Sequence, residues 1–246
     1  MAAISTRMLA CTDALRSATS ASRFRTFSAP VGWVYRPLEY ARAIADAYVG
    51  RFAASAKDVL FVGMNPGPFG MGQTGAPFGD VGFVRDWMKL DGTILVPKKT
   101  HPKRPVEGLA CLRSEVSGRR LWGAFSMAFP RPEDFFARAF VVNYCPLLFL
   151  GESGANLTPD KLVAKERARL EASCDDHLRE VIEILAPKRV VGIGGWAMKR
   201  ALRVAPKDVR VSAIPHPSPA SPTANRGWAP LAKAALEDAG IHGLIV

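Results

Sequence analysis

The chain has 246 residues, 48% of them hydrophobic and 22% charged. That supplies enough apolar material for one large domain or two small ones and excludes a wholly disordered or collagen-like chain. Thirty-three Lys and Arg against 22 Asp and Glu leave a net charge of +11, which favours a polyanionic partner such as nucleic acid or an anionic membrane surface.

Residues 1–33 read as an N-terminal extension, helical or frayed. Its first 30 residues are rich in Ala, Ser, Thr and Arg, with Asp13 the sole acid. That composition suits a transit peptide and equally an ordinary helical start, the reading adopted here; no apolar signal-type stretch is present. Residues 34–246 read as one domain, without internal repeat or linker. Leu38, Ala41, Ile44, Ala45 and Tyr48 recur at helical spacing and predict an amphipathic helix from Tyr35 to Phe52, entered through Pro37. Val59 to Val62 form a short β-prone run that stops at Gly63, and such an uninterrupted apolar strand suits a sheet covered on both faces. Similar runs follow at Ala139 to Val142, Val190 to Ile193 and Val209 to Ile214. The longest helical pattern starts after Thr158 as N-cap, with Pro159 at the first helical position, and reaches Leu185 before Pro187. Strands alternating with helices predict a mainly parallel α/β sandwich.

The longest stretch free of Asp, Glu, Lys and Arg, Val59 to Gly79, contains three Pro and six Gly, a density that no spanning helix tolerates, so no transmembrane segment is expected. Cys11, Cys111, Cys145 and Cys174 lie far apart with no C-x-x-C pair, so reduced structural thiols are expected, and no metal site.

In open parallel sheets ligands bind beyond the carboxyl ends of the strands. The first strand opens into Gly63-Met64-Asn65-Pro66-Gly67-Pro68-Phe69-Gly70 and runs charge-free to Phe78-Gly79. Glycines let backbone approach a planar ligand and prolines fix the path, whereas so long an apolar loop makes poor solvated surface. The last strand opens into Pro215-His216-Pro217-Ser218-Pro219-Ala220-Ser221-Pro222, which leads through Asn225-Arg226-Gly227 to a helix; prolines on both sides hold His216 in place, for a site or for a local structural bond. Asn143, at the end of the second strand, could read a base edge or cap a turn. Gly192-Ile193-Gly194-Gly195-Trp196-Ala197 fits a dinucleotide fingerprint but lies in the third strand unit instead of opening the fold, so no cofactor is expected. The basic run from Lys98 to Arg104 is either a solvated loop or a phosphate contact.

Together these loops resemble the single-strand-selective monofunctional uracil-DNA glycosylases, family 3 of the uracil-DNA glycosylase superfamily. The likeness rests on Gly63 to Gly79, on His216-Pro217-Ser218-Pro219 with Ala224 to Trp228, on His101 to Val106, Ser114 to Gly118, Asn143 to Leu150 and Ser153 to Pro159, and spans roughly Val34 to Leu244. It implies a three-layer α/β/α sandwich with a central four-stranded parallel sheet, and removal of uracil and 5-substituted uracils such as 5-hydroxymethyluracil from single- or double-stranded DNA. By the same resemblance Asn65 positions the attacking water and His216 donates to uracil O2. Asn143 pairs with the uracil edge, Phe78 stacks on its face, and Met64 and Gly67 line the pocket, Gly67 leaving room at the 5-position. Pro217, Ser218, Pro219, Ala220, Ser221, Asn225 and Arg226 fall to the wedge loop, and Ser153, Asn156, Lys161, Lys165 and Arg167 to a DNA-contacting stretch.

Uracil leaves as a comparatively stable anion, so the chemistry needs donors aimed at that charge and a held water, without the paired carboxylates of sugar hydrolases. Neither motif loop offers a lysine to form an imine, which fits a monofunctional enzyme. One departure stands out: Ala220 occupies the place of an arginine in the vertebrate members, which implies weaker dependence on the wedge. Two alternatives remain open on this reading, a damage-binding protein with little catalysis and a glycosylase preferring deaminated purines. A monomer is the expected state, and the Ala- and Arg-rich composition points to a bacterial cytoplasm, with the nucleus as the alternative.

Overall fold

The computed structural model describes residues 2–246; Met1, the first residue of the expected extension, lies outside the described residues. Along the chain run α1 (Ile4–Ala18), β1 (Trp33–Tyr35), α2 (Pro37–Tyr40), α3 (Arg42–Phe52), β2 (Val59–Gly63), α4 (Met71–Thr74), α5 (Val116–Ala128), α6 (Pro132–Arg138) and β3 (Ala139–Asn143). They are followed by β4 (Leu148–Leu150), β5 (Asn156–Leu157), α7 (Ala164–Leu185), β6 (Arg189–Ile193), α8 (Gly195–Val204), β7 (Arg210–Ile214), α9 (Pro222–Asn225) and α10 (Trp228–Asp238).

Every residue of β2 and of β3 is buried, which a strand achieves only with both faces covered. They form the middle and one edge of a four-stranded sheet of order β3-β2-β6-β7, parallel at every pairing. All four strands expected from the apolar runs are present. Parallel register brings their carboxyl ends to one edge, and on the last rung Gly63 stands opposite Asn143. Helices cover both faces, making the α/β/α sandwich.

A second sheet was not foreseen. Antiparallel β1, β4 and β5 form a three-stranded sheet, with Tyr35 opposite Leu148 and Asn156 opposite Leu150. Strands of two and three residues leave too little alternation to be read from sequence.

Two helical expectations are corrected. The helix expected from Tyr35 to Phe52 is broken: Tyr35 ends β1, and Ala41 separates α2 from α3. Gly75, in the left-handed region at φ 78°, presses there so closely that a Cβ on it would lie 2.9 Å from the Ala41 carbonyl oxygen. Thr158 does not cap the long helix. Pro159–Lys161 form a short 3₁₀ turn, Leu162 and Val163 are extended, and α7 begins only at Ala164. Its other end falls at Leu185, with Ala186 left-handed before Pro187.

Within residues 2–33, α1 packs on α7 and α3, burying Met8, Cys11 and Leu15 in the main core. Cys11 Sγ lies 3.1 Å from His177 Nδ1 on α7, and all four cysteines are free and buried. Burial holds the His177 imidazole down to about 4. A neutral His that must charge on unfolding stabilises the fold fully above its ordinary value of 6.5 and loses that contribution as pH falls toward 4. The urea-unfolding free energy should therefore drop across that window by roughly 2 kcal/mol on this account, allowing for partial exposure. His177→Gln should flatten the drop, and an identical pH dependence in wild type and variant would refute it.

Candidate active site

The loop after β2 is held by backbone-mimicking side chains. Gln73, fully buried, donates from Nε2 to the carbonyls of Pro68 and Pro105 at 2.8 and 2.9 Å and accepts at Oε1 from the amides of Glu107 and Gly108. Thr74 Oγ1 donates to the Gly79 carbonyl. A charge-free loop can thus be rigid and buried because one amide satisfies its polar groups. Phe78 is placed at φ 53°, a conformation a bulky residue adopts only when its surroundings impose it. The first turn of α5 does so: a Cβ on Gly118 would lie 2.0 Å from the Phe78 carbonyl oxygen, and Trp122 Nε1 donates to the Pro77 carbonyl.

Met64, Asn65, Gly67, Phe78, Asn143 and His216, six positions named from the sequence, all line one cavity of about 510 Å³ at the carboxyl edge of the sheet. At its floor, Gly63 leaves space for two readers: a Cβ there would lie 2.3 Å from Asn143 Oδ1 and 2.5 Å from the Phe78 ring. Asn143 Oδ1 is buried without a hydrogen-bond partner, while Nδ2 donates to Met71 Sδ at 3.2 Å. The buried acceptor is therefore open to a ligand N–H, and the sulfur contact sets which way the amide faces. Asn65 Nδ2 is held by Asn156 Oδ1 and the Pro66 carbonyl, both at 3.4 Å. Among the described residues nothing donates to Asn65 Oδ1.

His216 Nδ1 accepts the Ser218 amide N–H at 3.1 Å, which leaves the ring proton on Nε2. Burial holds the imidazole below its ordinary value. The His216 and Phe78 rings lie 6.2 Å apart. The glycine-rich turn after β6 has its physical reason here. Gly194 sits at φ 93° with the His216 Cβ against it, and Gly192 lets the backbone of Met198 approach. The glycines serve close packing of β6, α8 and the His216 loop.

Arg120 on α5 went unnoticed in the sequence. Its guanidinium donates to the carbonyls of Pro217 and Ser218, at 3.0 and 3.3 Å, and to Asn225 Oδ1 at 2.8 Å; Trp228 Nε1 fixes the Pro215 carbonyl at 2.7 Å. Asn225 also donates to the Pro219 carbonyl, so both ends of its amide hold the loop. Pro217 is buried and Ser221 half-buried, whereas Pro219, Ala220, Asn225 and Arg226 are exposed. Ser218, Pro219 and Ala220 reach over the cavity.

Of the stretch expected to meet DNA, Asn156 and Thr158 line the cavity, whereas Ser153, Lys161, Lys165 and Arg167 lie outside it. Lys161 faces Asp160 at 3.7 Å on the surface, and Arg167 donates to the Asp160 carbonyl. His101, within the basic run, is buried, accepts from the Lys103 amide and contacts the Glu152 carbonyl.

Glu115 is the other residue that sequence reading missed, since a lone carboxylate carries no spacing signal. Asp80 holds its backbone, accepting from the Ser114 hydroxyl and the Glu115 amide. The side chain then lies against two glycines: a Cβ on Gly67 would come within 2.3 Å of the carboxyl, and one on Gly70 within 2.8 Å of Cγ. Burial raises its pKa; amides of Phe69, Ser117 and Gly70 oppose the rise and the nearby Asp80 adds to it, yet Oε2 has no partner within hydrogen-bond distance. Among the described residues no group of three or more His, Cys, Asp or Glu could hold a metal ion. No helix among them is long and apolar enough to cross a membrane.

Residues 49–238 match the family model described as the Uracil DNA glycosylase superfamily. The single-strand selective monofunctional uracil-DNA glycosylase of Rattus norvegicus is 48% identical over 222 residues, covering 89% of this chain and 80% of that protein. Its counterpart from Bos taurus is 49% identical over the same length, covering 89% and 82%. The crystal structure of wild-type SMUG2 from Pedobacter heparinus superposes with a TM-score of 0.59 at 19% identity over 88% of each chain, a likeness of fold.

Because the Glu115 carboxyl is raised by burial, its ionised form weighs against the folded state above that raised value. Glu115→Gln should melt higher than wild type at pH 8, the gap closing as pH falls toward 4.5, the ordinary carboxyl value. Thermal melts across that range test it; a gap independent of pH would contradict it.

Proposed function

The chain belongs to the uracil-DNA glycosylase superfamily, and we propose that it reads uracil with the Asn143 amide and expels it by stabilising the departing base at His216. The reaction is hydrolysis of the N-glycosidic bond of uracil in DNA, a base-excision repair step that leaves an abasic site. The observation that carries the reading is the buried, unpartnered Asn143 Oδ1 at the end of a cavity that also holds Phe78 and His216.

Uracil presents N3–H beside O4, a donor next to an acceptor; cytosine presents the reverse. Asn143 Oδ1 accepts from N3–H and Nδ2 donates to O4. A buried polar group left unmatched costs about 1–3 kcal/mol, so the amide selects only while its orientation is held, and Met71 Sδ holds it. Phe78 supports the ring by stacking. His216 then aims Nε2–H at O2. As the glycosidic bond breaks, its electron pair passes to the ring, and a neutral donor in a water-poor pocket stabilises that charge without giving up a proton. Asn65 Oδ1 orients the water that adds to the sugar carbon, with Asn156 keeping its amide in place. No lysine lines the cavity, which supports attack by water without an amine adduct.

A base within a duplex must be extruded, at a few kcal/mol, whereas single-stranded DNA avoids most of that cost. Ala220, small and exposed at the tip of the His216 loop, supports a preference for single strands. The room that Gly67 was expected to leave at the 5-position is filled by the Glu115 carboxyl, so a 5-substituent would meet that carboxyl, and only one that can donate a hydrogen bond to it would be accepted. A deaminated purine presents the same donor-beside-acceptor edge to Asn143, so rates on uracil and hypoxanthine substrates, measured side by side, separate the two readings.

Single-turnover cleavage of a uracil-containing oligonucleotide is the direct measurement. Asn65→Ala and His216→Ala should each lower the rate by about 10²–10³, the scale of a lost water-orienting or charge-stabilising group, with unchanged melting. Since burial lowers the His216 pKa, the neutral ring persists to lower pH, and the rate should stay level through neutrality and fall only below about pH 6.5. Wild-type rates in both variants, or no abasic product with stoichiometric wild type, would end the reading. Met71→Leu keeps the volume and removes the sulfur acceptor; it should narrow discrimination between uracil and cytosine about tenfold with little loss of uracil cleavage, and an unchanged ratio would remove Met71 from this role.

A further inference from the structure

Phe69, half-buried, directly follows Pro68 and its amide faces the Glu115 carboxyl, and both Pro68 and Glu115 line the cavity. Two guanidinium groups lie over that ring, Arg113 at 4.0 Å and Arg104 at 5.1 Å from its centroid. Among the described residues neither guanidinium pairs with a carboxylate, in contrast to Arg16, Arg51 and Arg200. Arg104 Nη1 donates to the Lys103 carbonyl, while its Nε is buried without a partner; Arg113 is exposed. Stacking on an aromatic face holds a guanidinium flat and leaves N–H edges directed outward, the geometry that suits a phosphate oxygen pair.

Both arginines rise from fixed backbone. The Arg104 carbonyl accepts from Tyr35 Oη at 2.7 Å and its amide donates to the His101 carbonyl. Arg113 directly precedes Ser114 and Glu115, both tied to Asp80. Two separate segments thus bring unneutralised positive charge onto one ring, each segment adjoining residues close to the cavity lining.

We propose that Arg104, Phe69 and Arg113 form a clamp for a backbone phosphate beside the extruded nucleotide, gripping DNA irrespective of sequence. This rests on the glycosylase reading for its partner; it adds the surface on which the strand is held.

Binding of a uracil-free single-stranded oligonucleotide, measured over a range of salt, tests it. Arg113→Gln and Arg104→Gln should each weaken binding about three- to tenfold, and each should reduce the slope of log affinity against log salt by about 0.7. Phe69→Leu should weaken binding while leaving the slope, because the charges remain. Lys188→Gln removes a charge next to the amino end of β6, opposite the site, and should change neither. With uracil-containing DNA and saturating enzyme, the clamp variants should cleave at the wild-type single-turnover rate. Wild-type affinity and slope in Arg113→Gln, or an equal fall in Lys188→Gln, would overturn the clamp. Failure of the wild type to release uracil would instead sink the glycosylase reading and leave the salt result standing.

Discussion

The rung that pairs Gly63 with Asn143 is the constraint around which the site is arranged. A parallel sheet ends all its strands at one edge, so whatever stands on the last rung is presented to the loops above it. Here one partner has no side chain and the other has an amide, and the space vacated by the first is occupied by the second together with Phe78. The amide proposed to read the base is thus placed by the hydrogen-bond ladder of the sheet. The loops supply what the sheet cannot: the His216 imidazole on a separate arm, and the Asn65 amide, proposed to hold the water, on the turn after β2.

The pocket is also a place where polar groups are deliberately under-satisfied. Asn143 Oδ1 and Glu115 Oε2 are among the few buried side-chain atoms without partners, while Gln73, in the loop after β2, has all its capacity used. Buried polar atoms are normally paired, so the contrast separates the groups that build the loop from those left open for a ligand. The same low-polarity surroundings keep the His216 ring neutral and strengthen a hydrogen bond to developing charge.

The central strands were legible because each is a continuous apolar run, and the cavity residues because Gly, Pro, Asn and His crowd into two loops at strand ends. Three things were not legible, each for a physical reason. The small antiparallel sheet consists of strands too short to alternate. The break at Ala41 is set by contact with Gly75, a residue far along the chain, and helical periodicity carries no trace of it. Glu115 and Arg120 owe their importance to what α5 lies against, which no local pattern encodes. Asn156, expected on the DNA surface, is exposed there and also holds Asn65 at the cavity, a second contact that only the pairing of β5 with β4 sets up.

Floor and arm differ in what it takes to disturb them. The Gly63–Asn143 rung belongs to the ladder of the sheet, whereas the His216 arm is fixed from outside by the side chains of Arg120 and Trp228. Damage to α5 would therefore reach the histidine and spare the amide, so the two halves of the site are separable by mutation although they share one cavity.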